Sequence, residues 1–128
     1  MSQIYNYVHA CYRVLDLEES IEFYQKALNL EVSRKRDFPE GKFTLVYLKS
    51  PEDDFEIELT YNYDRKEPYT VGNGYSHIAV TVDNIKKSHQ RHKDLGYEVS
   101  ELKSLSKESS GYYFLTDPDG YRTEIIQK

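Results

Sequence analysis

In the stretch EIELTYN, Ile57, Leu59 and Tyr61 alternate with Glu56, Glu58, Thr60 and Asn62. Period two predicts a half-buried β-strand with one apolar and one polar face. Earlier in the chain the period lengthens. Leu17, Ile21, Tyr24 and Leu28 recur at helical spacing and predict one apolar stripe. Asp16 precedes that run with Glu19 three residues on, which predicts a helix start resembling a capping box with Asp as the cap. Beyond the helix the pattern predicts strands over 31–36, 43–48 and 55–61, with turns at Pro39-Glu40-Gly41-Lys42 and over 51–54.

The second half says much the same again. HACYRVLDLEESIEFYQKALNLEV, from His9 to Val32, lines up with HIAVTVDNIKKSHQRHKDLGYEV, from His77 to Val99. Each run begins with a histidine in a strand-like segment that ends in Val and Asp, and each continues through a helix. From Asp16 to Val32 and from Asp83 to Val99 the separation is 16 positions, which aligns the two helices. Asn29 and Gly96 suit left-handed helix ends. Strands then follow over 97–102, 111–115 and 121–126, with a turn at Asp117-Pro118-Asp119-Gly120. The expected fold is therefore α+β, with two repeated βαβββ modules forming cupped mixed sheets in a single domain over 1–128. Module one spans about 5–62, a linker about 63–73, and module two about 74–128.

Composition narrows the function classes. A chain of 128 residues suits one compact unit. Its net charge of −5 argues against a general nucleic-acid binder. Apolar runs fall far short of the roughly 20 residues of a membrane helix. The start, MSQIYNYVHACYRV, lacks the order of a signal peptide, and the single Cys11 allows no internal disulfide. A soluble cytoplasmic location is expected.

The repeat also gives the polar face of EIELTYN a chemical reading. His9 to Glu58 is 49 positions and His77 to Glu124 is 47, so each module offers a histidine on its first strand and a glutamate on its last. For any one of these residues the bland reading, a solvated or hydrogen-bonded side chain, is the stronger. The same pair in both halves reverses that judgement. Two imidazoles and two carboxylates suit a first-row divalent metal with positions left for water or substrate. A +2 ion would cancel two carboxylates that otherwise repel. His89 and His92 lack a matched pair in the first half and read as helix-surface residues. Cys11 reads as a small residue on the face of His9 rather than a thiolate ligand.

With these residues in place, the chain resembles the glyoxalase I family, lactoylglutathione lyases of the vicinal-oxygen-chelate superfamily, in its short bacterial form. The runs that carry the resemblance are HACYRVLDLEESIEFYQKALNLEV, IELTYN, Tyr69 through GYSHIAVTVDN, and DPDGYRTEII. The resemblance implies metal ligands at His9, Glu58, His77 and Glu124, and a homodimer with each site at the subunit interface. It implies one divalent transition metal per site, with nickel favoured over cobalt or zinc. The implied reaction isomerises the hemithioacetal of methylglyoxal and glutathione to S-lactoylglutathione by proton transfer through an enediolate. Glu124 is the implied main base, with Glu58 a second catalytic carboxylate. Arg13 and Asn62 match positions that hold the glutamyl end of glutathione. Lys107 stands nearest to the family's lysine for the glycyl carboxylate, about one residue out of register. The thiol is glutathione or another small thiol. An epimerase acting beside a thioester, or a metal-free drug-binding module of the same fold, are the alternatives.

Overall fold

The computed structural model describes residues 2–104 and 111–128. They form two compact units, one ending at Tyr69 and the other beginning at Thr70.

The first unit runs β1 (His9–Val14), α1 (Leu17–Leu28), β2 (Glu31–Phe38), β3 (Phe43–Lys49) and β4 (Glu56–Asn62). Its four-stranded sheet has the order β1-β4-β3-β2, with β1 parallel to β4 and the other pairs antiparallel. The second unit runs β5 (His77–Val82), α2 (Ile85–Asp94), β6 (Glu98–Val99), β7 (Tyr112–Thr116) and β8 (Arg122–Gln127). Its sheet repeats the topology as β5-β8-β7-β6, with β5 parallel to β8. Both expected βαβββ modules are present, each with a mixed sheet. Parallel pairing of the first and last strands needs a crossover, and α1 and α2 supply it.

Each helix covers one face of its own sheet. In the first unit Phe23, Tyr24 and Ala27 of α1 are buried with Tyr12, Val14, Leu48 and Leu59 from the strands. Phe23 meets Tyr24 edge-on at 5.0 Å between centroids. The apolar stripe is rotated from its expected position. Ser20, Phe23, Tyr24 and Ala27 form the buried face, while Leu17, Ile21 and Leu28 are half-buried along its margin. A small serine allows the helix to approach the sheet closely, so the contact face is centred on Tyr24 rather than on the larger aliphatics.

The helix ends carry their expected signals. Asp16 caps α1, accepting from the Glu19 backbone N–H at 3.1 Å, and Asn29 ends it at φ 54°. In the second unit the cap is Asn84, whose side chain accepts from the Lys87 N–H at 3.1 Å. The helices are therefore matched from Asp16 to Asn84, which is the same offset as from His9 to His77. The one-residue difference is absorbed in α2, which is shorter than α1 before Gly96 turns left-handed at φ 82°. Strand β6 is also shorter than the run expected over 97–102, and pairing with β7 resumes in an isolated bridge between Lys103 and Tyr112.

Two local features set register. In β2 a bulge falls between Val32 and Arg34, and the Ser33 hydroxyl there donates to the Tyr47 carbonyl. Ahead of β8, Asp117 Oδ1 accepts from the backbone N–H groups of Asp119 and Tyr121, both at 2.9 Å. Gly120, at φ 95°, completes that turn in a conformation an L side chain rarely adopts.

His92 departs most from the sequence reading. It is 1% exposed, in the core of the second unit. Its Nδ1 lies 2.7 Å from the Tyr113 hydroxyl, which is itself 2.7 Å from Ser88 Oγ. His89 is half-buried, with Nε2 2.8 Å from the Ser100 carbonyl and its ring edge-on to Tyr113. Both histidines are thus satisfied packing residues on the inner side of α2. Replacing Tyr113 with Phe removes the hydroxyl shared by Ser88 and His92. The expected loss is about 1–3 kcal/mol, seen as a lower denaturant midpoint with an unchanged slope.

Candidate metal and proton-transfer site

The register of the parallel pairs brings each histidine to its glutamate. In β1 and β4 the Cα partners are His9 with Glu56 and Cys11 with Glu58. In β5 and β8 they are His77 with Arg122 and Ala79 with Glu124. The histidine thus sits diagonally across from the glutamate on the same face in both modules. His9 Nε2 lies 3.2 Å from Glu58 Oε2, and His77 Nε2 lies 3.1 Å from Glu124 Oε1. An aromatic ring supports each imidazole edge-on: Tyr47 against His9 at 5.7 Å and Phe114 against His77 at 4.9 Å.

The spacing of these atoms fits a shared ion. Nitrogen and oxygen ligands sit about 2.0–2.2 Å from a divalent transition metal. Two of them on one ion, at right-angle to tetrahedral geometry, would stand roughly 3.0–3.5 Å apart. On the far side of the His77 ring, Ser76 Oγ lies 2.6 Å from Nδ1 and holds the ring's orientation. Each module therefore presents one imidazole and one carboxylate side by side. Among the described residues of one chain, no group of three or more His, Cys, Asp and Glu side chains is arranged to hold a metal ion.

Glu58 is the more deeply held carboxylate. It is 8% exposed. Thr60 Oγ1 donates to its Oε1 at 3.0 Å, and Cys11 Sγ lies 3.2 Å from that same hydroxyl. Burial pushes the Glu58 carboxyl up, but hydrogen bonds from Tyr47, Thr60 and Cys11 outweigh it and leave the pKa below its usual 4.5. The thiol of Cys11 is pushed up, first by burial and then by Glu58. A raised thiol pKa disfavours the thiolate a metal would need.

Beside this face, Arg34 lies over the Tyr47 ring, 3.8 Å from its centroid, and pairs with Glu56 at 3.1 Å. Glu56 is held well as an anion by Ser33 and Arg34 and makes no bridge to His9. Arg13 is exposed on the same face of β1 as His9 and Cys11. Asn62, at the end of β4, donates through Nδ2 to the Tyr69 hydroxyl at 3.0 Å. Lys107 lies outside the described residues.

Comparison with known proteins agrees with this architecture. Residues 6–125 match the Glyoxalase/Bleomycin resistance protein/Dioxygenase superfamily. Over 124 residues the chain is 40% identical to the lactoylglutathione lyase of Neisseria meningitidis serogroup B, covering 94% of this chain and 89% of the relative. The chain belongs to the glyoxalase I family. Among solved members, glyoxalase I from Zea mays superposes with a TM-score of 0.86 at 37% identity over 95% of this chain. This chain spans 44% of the maize protein. Glyoxalase I from Leishmania major, described as trypanothione-dependent, gives a TM-score of 0.84 at 35% identity. There the match covers 97% of this chain and 87% of the other.

Sequence reasoning had named His9, Glu58, His77 and Glu124 but missed the residues that hold them. Thr60 could have been found, because it lies two positions from Glu58 on the same strand face. Tyr47 could not, since its placement opposite Glu58 depends on the β3–β4 register. Ser76 carries no periodic signal at all.

The depressed pKa of Glu58 has a thermodynamic consequence. A carboxyl that is more acidic folded than unfolded contributes stability fully above the unfolded value, and that contribution is lost as pH falls through the folded value. Between about pH 5 and 3, metal-free Glu58→Gln should therefore lose stability less steeply than the native chain. Urea midpoints across that range check this, and parallel curves would contradict it.

Proposed function

We propose that the protein is a lactoylglutathione lyase that isomerises the hemithioacetal of methylglyoxal and glutathione to S-lactoylglutathione. The supporting observation is the repeated His–Glu pair, at 3.2 and 3.1 Å, on a chain similar to lactoylglutathione lyases over nearly its whole length. In this reading His9, Glu58, His77 and Glu124 hold one divalent transition metal, with nickel favoured over cobalt or zinc. A bound dication stabilises negative charge on neighbouring oxygens; zinc, for scale, lowers the pKa of bound water from about 15.7 to about 7, roughly 12 kcal/mol.

The chain's own residues supply the proton transfer. Glu124 takes the proton from the carbon that carries it, leaving the electron pair in an enediolate, and returns that proton to the adjacent carbon. The hydroxyl proton passes from the oxygen of the first carbon to that of the second as the thioester carbonyl forms, so atoms balance without any other reactant. A positioned base of this kind contributes about 10²–10⁴-fold, roughly 3–5 kcal/mol. Arg13 and Asn62 hold the glutamyl end of the thiol, and Asn62 is already oriented by Tyr69. Lys107 is the candidate for the glycyl carboxylate. The trypanothione-dependent Leishmania relative keeps a second thiol class open.

The reading includes a homodimer in which module one of one protomer meets module two of its partner. Two observations support it. Each module offers two ligands, and Ile4, Tyr5, Tyr7 and Val8 leave an apolar segment exposed directly ahead of β1. A cytoplasmic location is part of the same proposal. No helix among the described residues is long and apolar enough to cross a membrane.

Stripping the protein of metal and restoring nickel, cobalt, zinc, manganese or magnesium separately tests the reading. Thioester formation from methylglyoxal and glutathione should return with one or two transition metals and not with magnesium. Metal binding without turnover on glutathione or a second thiol would favour the epimerase, and neither would leave a binding module. Glu124→Gln should lower turnover about 10²–10⁴-fold while metal stays bound. His77→Ala should weaken both, and unaltered metal content in that variant would break the four-ligand set.

A further inference from the structure

The two glutamates occupy equivalent places in the repeat and each faces a histidine, yet three other flanking side chains differ. Opposite Glu58 stand Cys11 on β1 and Tyr47 on β3, and Thr60 follows two residues on. Opposite Glu124 stand Ala79 on β5 and Phe114 on β7, and Ile126 follows two residues on. A thiol and two hydroxyls in module one are thus replaced by a methyl, a phenyl and an aliphatic chain in module two. The backbone frame is shared, because both glutamates sit between a parallel and an antiparallel neighbour in the same order.

The difference acts on freedom of movement. Thr60 Oγ1 donates to Glu58 Oε1 at 3.0 Å, while Oε2 faces His9 at 3.2 Å, so both carboxylate oxygens are engaged. Thr60 has a single hydroxyl proton, which goes to Glu58. Cys11 Sγ lies 3.2 Å from the Thr60 hydroxyl and packs against it, restricting its rotamer. Tyr47 is buried at 6% exposure under the Arg34 guanidinium, which fixes its ring beside Glu58. Glu124 accepts from His77 at 3.1 Å through Oε1, and among the described residues no side-chain donor meets Oε2. Phe114 also lies under a guanidinium, that of Arg122 at 3.9 Å, so the ring is held equally well but has no hydroxyl to offer.

We propose that Thr60, with Cys11 and Tyr47, is a positioning group that clamps Glu58 as a fixed ligand and leaves Glu124 the one carboxylate free to swing and carry the proton. This rests on the lyase reading above and adds to it. The hemithioacetal carbon is a stereocentre, so a base confined to one side favours one of the two hemithioacetal diastereomers. Selectivity would then arise from three side chains behind Glu58, without any contact to the substrate.

The test installs module two's surroundings in module one. Cys11→Ala, Tyr47→Phe and Thr60→Val together copy the apolar set, and each residue type is already tolerated in a strand. In the metal-free protein, nickel affinity measured by chelator competition should fall about 10–100-fold, the usual effect of removing groups that orient a ligand. In a Glu124→Gln background the same three changes should raise residual turnover by ~10-fold or more, a part of what a positioned base supplies, because the released Glu58 can act. Should the triple variant fold poorly, Thr60→Val alone carries both measurements. The converse change, Phe114→Tyr, should lower turnover with metal affinity kept. Unchanged nickel affinity would overturn the clamp, and weaker affinity with no gain in the Glu124→Gln background would overturn its role in choosing the base. If the native protein forms no thioester with any metal, the lyase reading falls, while chelator competition still decides the clamp.

Discussion

Everything at the candidate site depends on parallel pairing between the first and last strand of each module. Antiparallel neighbours can be joined by a tight turn, but a parallel pair requires the chain to travel the length of the sheet and return. Here it returns by a helix and two strands, so residues about fifty positions apart in sequence become diagonal neighbours. His9 and Glu58 meet at 3.2 Å, and His77 and Glu124 at 3.1 Å, because in both ladders the glutamate lies two residues beyond the histidine's partner, on the same face. A slip of one residue would send each glutamate to the opposite face, among the core side chains. The bulge at Ser33 and the Asp117 turn are the local devices that hold adjoining strands in register.

Repetition of the module supplies the chemistry, and departures from repetition refine it. Core positions exchange large residues while keeping their burial: Tyr24 in α1 corresponds to His92 in α2, and both are almost fully enclosed. His92 is accommodated because Tyr113 comes with it and offers a hydroxyl. Around the glutamates the exchange runs the other way, from polar in module one to apolar in module two. Neutral packing tolerates such substitution easily, whereas hydrogen bonds to a carboxylate alter its orientation and its mobility.

The strand and helix order, the turns and the four candidate ligands were legible in the sequence because each is a local signal repeated at a fixed offset. The duplicated His and Glu outweighed the weak evidence of any single residue. Other features depend on contacts that no local pattern records. The equal 16-position spacings from Asp16 and Asp83 hid the shift to Asn84 as the cap of α2, because the helix is shorter near its other end. Leu17 and Leu28 outranked Ser20 on hydrophobicity, yet small side chains are what bring a helix close to a sheet. His92 was assigned to the surface because a histidine's burial depends on a partner, and Tyr113 is distant in sequence. Tyr47 was invisible until β3 and β4 were paired.

The burial of Glu58 bears on what holds the fold when no ion is present. A carboxylate taken from water without partners carries a penalty of several kcal/mol, so a metal site can make folding dependent on the metal. Glu58 avoids that dependence through Thr60, Tyr47 and His9, and its lowered pKa shows that these partners more than offset its burial. Glu124 avoids it differently, by remaining half-exposed and keeping contact with solvent. Each module therefore satisfies its own carboxylate from within. The sheets thus hold the His–Glu spacing by their own hydrogen bonds and packing.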